Sequence, residues 1–187
     1  MTIGLMWILP FLVPYHTLPI ISFYSEWVAF VLGLLALLLF ATKRSWRDMQ
    51  LPIVALFPLG LAGVLILQVA LGRVAFASQG FTAGLYLVWA ALLVVLGNLL
   101  RRELGVETVA RVLAWCMLAG GVLAACVAYL QHYQISTLFD AVVARGIPGS
   151  GGNLGQRNHF ASHLTLALVS VAYLFGRGSL KRFTAAL

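Results

Sequence analysis

Charged side chains are scarce in this chain of 187 residues. Only 9% of the residues are Asp, Glu, Lys or Arg, whereas 62% are hydrophobic and the mean hydropathy is +1.00. A soluble domain has roughly a quarter charged residues and about half apolar ones. The chain therefore lacks the polar residues that would cover a globule in water, which excludes a soluble enzyme and a disordered chain. The composition predicts an all-α class, a polytopic bundle of transmembrane helices.

Cysteine is also scarce, since Cys116 and Cys126 are the only two. Both lie in one apolar run, where ten residues of helix would separate them by about 15 Å. That distance is too long for a disulfide between them. A disulfide-stabilised scaffold is therefore excluded, and the two cysteines are interpreted as small packing residues.

Acidic residues are few as well. Five Asp and Glu stand against twelve Lys and Arg, which gives a formal net charge of +7 and a pI of about 10.0. In a soluble protein this balance would suggest a nucleic-acid partner. Here the basic residues lie in short clusters between apolar runs, as is typical of membrane topology, because Lys and Arg are retained on the cytoplasmic side. We therefore predict contact with membrane lipid and no nucleic-acid partner.

Long apolar runs are what the chain has in abundance. A helix needs about 20 residues to cross the hydrocarbon core of a bilayer. The chain has five runs that reach or approach this length, and one shorter apolar segment, Ile3–Val13, that precedes them. We interpret Ile3–Val13 as a first transmembrane helix that is tilted or trimmed at its start, with a re-entrant segment as the alternative. The five runs that reach or approach spanning length are Trp27–Ala41, Leu51–Leu71, Phe81–Leu100, Val109–Leu130 and Phe160–Gly176.

About six spans with a cytoplasmic start place the N- and C-termini in the cytoplasm and residues 1–187 in a single transmembrane domain. Nine of the twelve basic residues then lie inside, which agrees with the positive-inside rule. The connection Gln131–His159 lies on the extracytoplasmic side. The inner residues are Lys43, Arg44, Arg47, Arg101, Arg102, Arg111, Arg177, Lys181 and Arg182, and the outer ones are Arg73, Arg145 and Arg157.

The second half of this connection is rich in glycine. Five glycines and a proline between Gly146 and Gly155 cannot hold a helix. A glycine-rich loop at the start of a helix can bind phosphate, because backbone N–H groups and the helix dipole point at the anion. Together with Arg157, the stretch Gly149–Asn158 makes a candidate diphosphate cradle. The alternative is a flexible turn whose Arg157 contacts lipid headgroups.

Two polar residues stand at the start of the last apolar run. Asn158 is predicted to cap the N-terminus of its helix. His159 and His163 lie one helical turn apart and could bind zinc, but no Cys, Asp or Glu lies nearby in the sequence as a third ligand, so we predict no metal site. His159 is instead a candidate base or a hydrogen-bond donor to a sugar or phosphate.

The predicted topology places further polar residues on the same side of the membrane. Arg73 follows a span and is either an interfacial arginine or a second cation for the same anionic ligand. Glu26 lies at the outer start of the second span. A carboxylate is favoured there by the helix dipole, or Glu26 pairs with Arg73 or Arg157. His16 precedes it. These residues map to one membrane face, although around the perimeter of a bundle they need not converge.

Two stretches together resemble a known family. They are PFLVPYHTLPIISFYSEW (Pro10–Trp27) and GNLGQRNHFASHL (Gly152–Leu164). The pattern Gly-Asn-x-x-Gln-x-Asn-His/Gln-x-Ala at the opening of a transmembrane helix resembles the bacterial O-antigen ligase and Wzy-type polymerase superfamily, most closely the pilin and general protein O-oligosaccharyltransferases. The resemblance covers the chain as the N-terminal half of such an enzyme.

The resemblance implies a multi-pass enzyme of the bacterial inner membrane that transfers an oligosaccharide from undecaprenyl diphosphate in the periplasm. The acceptor is a hydroxyl of a pilin-type protein, of the lipid A core or of a growing glycan, and no cofactor is required. In the family, arginines bind the diphosphate and a histidine assists deprotonation of the acceptor. The matching positions are Asn153, Gln156, Asn158 and His159, with Arg73 matching more loosely.

The chain departs from the family in one respect. The family's large periplasmic loop, with its main catalytic histidine and arginine, lies in the later half, so we expect this chain alone to be inactive. Two alternatives from other classes stay open: a small transporter or flippase subunit, and a non-catalytic membrane assembly protein. Polar residues that line a path through the bilayer would favour the transporter.

Overall fold

The computed structural model describes residues 2–16, 22–41, 51–144 and 151–180. Several residues named above lie outside these ranges, namely Lys43, Arg44 and Arg47 in the loop Thr42–Gln50, Arg145, residues 146–150 of the glycine-rich stretch, Lys181 and Arg182.

The described residues form helices and turns without β-strands, which confirms the all-α class. A short helix α1 (Thr2–Leu5) and a 3-10 turn (Leu9–Leu12) come first. The long helices are α2 (Phe23–Ala41), α3 (Leu56–Ala70), α4 (Ala77–Leu104), α5 (Val106–His132) and α6 (Arg157–Gly176).

Five helical segments in the described ranges are long and apolar enough to cross a membrane: α2, α4, α5, α6, and α3 together with the turn before it from Ile53. They coincide with the five predicted runs. Each of α2, α4, α5 and α6 begins a few residues before its run, because polar or small residues at the flanks continue the helix. Which ends face the cytoplasm stays a prediction.

The first apolar segment is shorter than a span. Thr2–Leu12 is helical at its two ends and is interrupted by turns in between, where Trp7 and Ile8 make backbone hydrogen bonds to residues three positions earlier. Pro10 has no N–H to donate and its ring is incompatible with the interior of an α-helix. The segment is as short as its sequence indicates, and whether it enters the membrane as a tilted or trimmed first helix or as a re-entrant segment stays a prediction.

The chain divides into two compact units. Unit 1 comprises Met1–Ala36 with Glu107–Leu187, and unit 2 comprises Leu37–Val106. Each is described by itself below, and the assignment of residues 1–187 to a single transmembrane domain stays a prediction.

Unit 2 is built around the antiparallel pair α3 and α4. Its core contains the buried Ala55, Val95 and Leu99. A Cβ on Gly80 of α4 would stand 2.7 Å from the Val69 side chain, so glycine allows the two helices to approach closely. α3 ends at Ala70, and Gly72, two residues later, has a φ of +64°, which favours glycine. The backbone N–H of Arg73 donates to the carbonyl of Gln68, in the last turn of the helix, at 2.9 Å.

Unit 1 is centred on the contact between α5 and α6. The buried residues of α6 recur every three or four positions, which puts them on one face of that helix. A Cβ on Gly121 of α5 would overlap the Cβ of Ala167, so small residues let the helices touch along this face. The buried residues of α6 are His163, Ala167, Ser170 and Leu174, and those of α5 include Gly120, Gly121, Ala124 and Ala128.

The connection between α5 and α6 is shorter than predicted. α5 continues to His132 and α6 begins at Arg157, so Gln131 lies in the last turn of α5. After the end of α5 at His132, Gln134 has a φ of +52°, and the N–H of Ile135 donates back to the carbonyl of Leu130 at 3.1 Å. This is the bonding pattern of a helix end closed by a left-handed residue.

Candidate functional site

The residues before α6 form a turn that depends on two glycines. A 3-10 turn covers Gly152–Leu154, and Gly152 and Gly155 have φ values of +58° and +69°. Residues with a Cβ rarely adopt this region. The turn reverses the chain sharply, so that Asn153 points into unit 1 while Gln156 reaches the start of the helix.

Asn153 is buried, with 1% of its surface exposed, and its side-chain amide is held on both sides. Its Nδ2 donates to the backbone carbonyls of Leu12 at 2.8 Å and Val142 at 2.6 Å. Its Oδ1 accepts from the backbone N–H of Ala144 at 2.9 Å. An asparagine amide has two donors and two acceptor sites, so these bonds use both donors. Asn153 thus joins the N-terminal segment to the connection between α5 and α6.

Gln131 completes this arrangement. Its Nε2 donates to the carbonyl of Ala144 at 2.7 Å and lies 3.4 Å from Oδ1 of Asn153. The sequence prediction placed Gln131 at the start of a polar loop and missed this contact. A polar side chain directly after the apolar run Val109–Leu130 is the signal that could have indicated it.

A polar cavity of about 470 Å³ opens beside this turn, entirely within unit 1. It brings together five of the eight predicted site residues, His16, Glu26, Asn153, Gln156 and His159. They come from two regions that are far apart in the sequence, residues 16–26 and residues 153–159. The other lining residues are Met6, Pro10, Phe11, Ser22, Ser25, Ala29, Leu154 and Gly155.

The wall of the polar cavity formed by α2 carries a carboxylate. Glu26 lies in the first turn of α2, where the helix dipole favours a negative charge. The hydroxyl of Ser22 donates to Oε1 of Glu26 at 2.5 Å.

His16 packs on the glycine turn. Three atoms of its ring lie 3.6–3.9 Å from the point where a Cβ on Gly155 would stand. The imidazole therefore rests on the backbone of the turn that precedes Gln156. This contact joins the segment before α2 to the turn before α6, and both line the cavity.

The start of α6 differs from the prediction. The helix begins at Arg157, and Gln156 occupies the N-cap position without a capping side-chain hydrogen bond. The expectation that Asn158 caps the helix is wrong, because Asn158 already lies in the first turn and its carbonyl accepts from Ser162 at 2.9 Å. Arg157 and Asn158 are exposed and do not line the polar cavity.

Arg73 belongs to unit 2. It is exposed and directly follows Gly72 at the end of α3. The structure describes the two units separately, so a shared site for Arg73 and the cavity residues of unit 1 stays a prediction.

The two histidines of α6 have different surroundings. His159 is exposed and lines the polar cavity, whereas His163 is buried and its ring stacks on Phe11 with centroids 4.3 Å apart. Among the described residues no group of three or more His, Cys, Asp or Glu is arranged to hold a metal ion.

Comparison with known proteins finds two similarities. The sequence model of a family described as "Protein glycosylation ligase" matches residues 151–175, which are the glycine turn and almost all of α6. The general O-oligosaccharyltransferase of Acinetobacter baylyi is 27% identical over 176 residues, which is 94% of this chain. The predicted relationship to the O-antigen ligase and oligosaccharyltransferase family is confirmed.

The chain spans 30% of the length of that oligosaccharyltransferase. No solved structure matches the chain significantly. Five apolar helices and the relationship to the oligosaccharyltransferase family together indicate a multi-pass membrane protein.

Proposed function

We propose that this protein takes part in moving an oligosaccharide from undecaprenyl diphosphate to an acceptor hydroxyl, on the periplasmic side of a bacterial inner membrane. The acceptor is a Ser or Thr of a pilin-type protein or the lipid A core. The observation that carries the proposal is the polar cavity, which collects His16, Glu26, Gln156 and His159 beside the segment matched by the glycosylation-ligase family.

An apolar groove supports a lipid-linked donor. It has a volume of about 860 Å³, and its lining includes Trp27 of α2 and Leu123 and Val127 of α5. The segments 9–16 and 22–29 contribute side chains both to this groove and to the polar cavity. A donor with a long apolar tail and a polar head needs two such surfaces next to each other.

The proposed reaction assigns a role to six of the eight predicted site residues. The acceptor oxygen attacks the anomeric carbon of the glycan, the bond from that carbon to the diphosphate oxygen breaks, and the diphosphate leaves with the electron pair. A ring nitrogen of His159 takes the hydroxyl proton, because an imidazole is suited to this near neutral pH. Gln156 and Asn158 hydrogen-bond the donor.

Cations and the buried amide complete the assignment. Arg157, and Arg73 from unit 2, offset the charge of the leaving group. Asn153 holds the turn in place and does not bind the donor, since both donors of its amide bond to the backbone carbonyls of Leu12 and Val142.

The test is glycan transfer from the lipid carrier to an acceptor in membranes, with the protein expressed from its complete reading frame. His159→Ala should lower transfer by about a hundredfold or more, the usual contribution of a positioned general base. Arg157→Ala should also lower transfer and should weaken apparent donor affinity.

A matched control is His132→Ala. His132 is exposed at the end of α5, contacts Tyr133, and does not line the polar cavity. Its replacement should leave transfer unchanged. Undiminished transfer in both His159→Ala and Arg157→Ala would remove the site assignment, and movement of the lipid-linked glycan across the membrane without transfer would favour a flippase subunit.

A further inference from the structure

We propose that the polar cavity binds a sugar ring of the transferred glycan, and that the diphosphate lies outside it, at Arg157. The inference rests on the proposed function and names the part of the donor that each element contacts. Three features of the cavity carry it: the sign of its charge, the kind of hydrogen-bonding groups it presents, and an apolar wall.

The charge of the cavity disfavours a diphosphate. Glu26 is its acidic residue, and none of the lining residues in the described ranges is Lys or Arg. Residues 17–21, which connect the two N-terminal segments of the lining, contain no Lys or Arg either. Like charges repel more strongly near a protein surface than in bulk water, because the effective dielectric constant there is lower. A multiply charged diphosphate would therefore meet repulsion inside the cavity, whereas a neutral sugar would not.

The hydrogen-bonding groups suit sugar hydroxyls, each of which donates and accepts. Glu26 supplies acceptor oxygens, one of which is oriented by the Ser22 hydroxyl at 2.5 Å. Ser25 and Gln156 each offer a donor and an acceptor. Diphosphate oxygens accept but do not donate at neutral pH, so the carboxylate could form no hydrogen bond with them.

The apolar wall suits the C–H face of a sugar ring. Phe11 and Pro10 line the cavity together with its polar residues. The Phe11 ring is fixed by His163, with an interplanar angle of 36°. The volume of about 470 Å³ lies within the roughly 300–1,000 Å³ of pockets that hold small ligands.

Arg157 is placed to hold the anion outside the cavity. It is the first residue of α6, is exposed, and lies between Gln156 and His159, both of which line the cavity. A guanidinium binds phosphate oxygens in pairs, and the positive end of the helix dipole adds to this attraction. The donor would thus have its sugar inside and its diphosphate at the rim.

The test is protection of a cysteine in the cavity wall. In the protein lacking Cys116 and Cys126, Ser25→Cys is labelled with a maleimide in the presence of the free oligosaccharide, released from the cell's own carrier, or of inorganic pyrophosphate. The free oligosaccharide should slow labelling, and pyrophosphate should not. Ser78→Cys, exposed at the start of α4, is the matched control and should be labelled at the same rate throughout.

Replacing Glu26 gives opposite results for the two ligands. Glu26→Gln removes a charged hydrogen bond to the sugar, so the oligosaccharide concentration that protects Ser25→Cys should rise about tenfold. If the diphosphate occupied the cavity, removal of the negative charge would instead strengthen protection by pyrophosphate. Protection by pyrophosphate or by an acceptor peptide, without protection by the oligosaccharide, overturns the inference.

The same preparations separate this inference from the proposed function. Transfer that depends on His159, without protection of Ser25→Cys by the oligosaccharide, overturns the sugar assignment alone. Protection by the oligosaccharide without any transfer supports the sugar assignment and contradicts the proposed function.

Discussion

The side-chain amide of Asn153 donates a hydrogen bond of 2.8 Å to the backbone carbonyl of Leu12, 141 positions earlier in the chain. Through this bond the turn before α6 holds the segment that carries Phe11 and His16. The same amide contacts the far end of the α5–α6 connection at Val142 and Ala144. One buried side chain therefore joins two separate stretches of backbone, at Leu12 and at Val142 to Ala144, beside the polar cavity.

Replacement of Asn153 should destabilise unit 1. Asn153→Ala removes the hydrogen bonds to the carbonyls of Leu12 and Val142 and from the N–H of Ala144. A typical intramolecular hydrogen bond contributes about 0.5–1.5 kcal/mol. We expect a loss of about 3 kcal/mol, measured by unfolding of the protein in detergent. Asn153→Asp should be nearly as destabilising, because both hydrogen-bond donors are lost and only the acceptor for the N–H of Ala144 remains.

The control for this prediction is the neighbouring exposed amide. Asn158→Ala changes the same residue type on the surface, so its effect should stay within about 0.5 kcal/mol. Equal stability of the Asn153 and Asn158 variants would contradict the role given to Asn153.

Gly121 tests the contact between α5 and α6. Because a Cβ there would overlap that of Ala167, Gly121→Ala should destabilise the protein by about 1–3 kcal/mol through overpacking. Gly97→Ala, in α4, has no atom within 4 Å of the added Cβ and should cause no loss. In the double variant, Ala167→Gly should recover most of the stability that Gly121→Ala removes, and a lack of recovery would show that the two residues do not meet.

The ion pair between Glu107 and Arg177 should contribute little. Nη2 of Arg177 lies 2.6 Å from Oε2 of Glu107 and Tyr173 donates to Oε1 at 3.4 Å, but about half of each charged side chain is exposed, 56% for Arg177 and 48% for Glu107. Exposed ion pairs contribute about 0–1 kcal/mol and are screened by salt. Arg177→Gln should therefore lower stability by less than about 1 kcal/mol, and the loss should be smaller in high salt. Arg101→Gln, which leaves this ion pair intact, is the control. A larger loss that salt does not reduce would contradict this.

The sequence predicted the helices well because bilayer-spanning runs are long and strongly apolar. The runs at Phe81–Leu100 and Val109–Leu130 lie inside α4 and α5, and the errors lie at the ends, where polar residues such as Gln131 still continue the helix. Apolarity marks the buried length of a helix in lipid, but its ends are decided by hydrogen bonds of the backbone. The same limit explains the Asn158 cap, which was placed two residues too late.

The candidate site was predicted in part. The family pattern and the shared membrane face pointed to His16, Glu26, Gln156 and His159, and these do line one cavity. Residue type alone could not separate Asn153, which is buried and fully used as a donor, from Asn158, which is exposed. Both are asparagines within one short motif, and only their burial distinguishes them.

By itself the sequence determined that this protein is a bundle of membrane-spanning helices related to oligosaccharyltransferases, since composition, apolar run length and a short glycine-asparagine motif are local properties of the chain. Only the tertiary structure decided which polar residues meet. Gly152 and Gly155 have positive φ, Asn153 between them bonds to Leu12 and Val142, and Gln156 and His159 line the same cavity as Glu26. Such a contact depends on hydrogen bonds between distant segments, which no local pattern specifies.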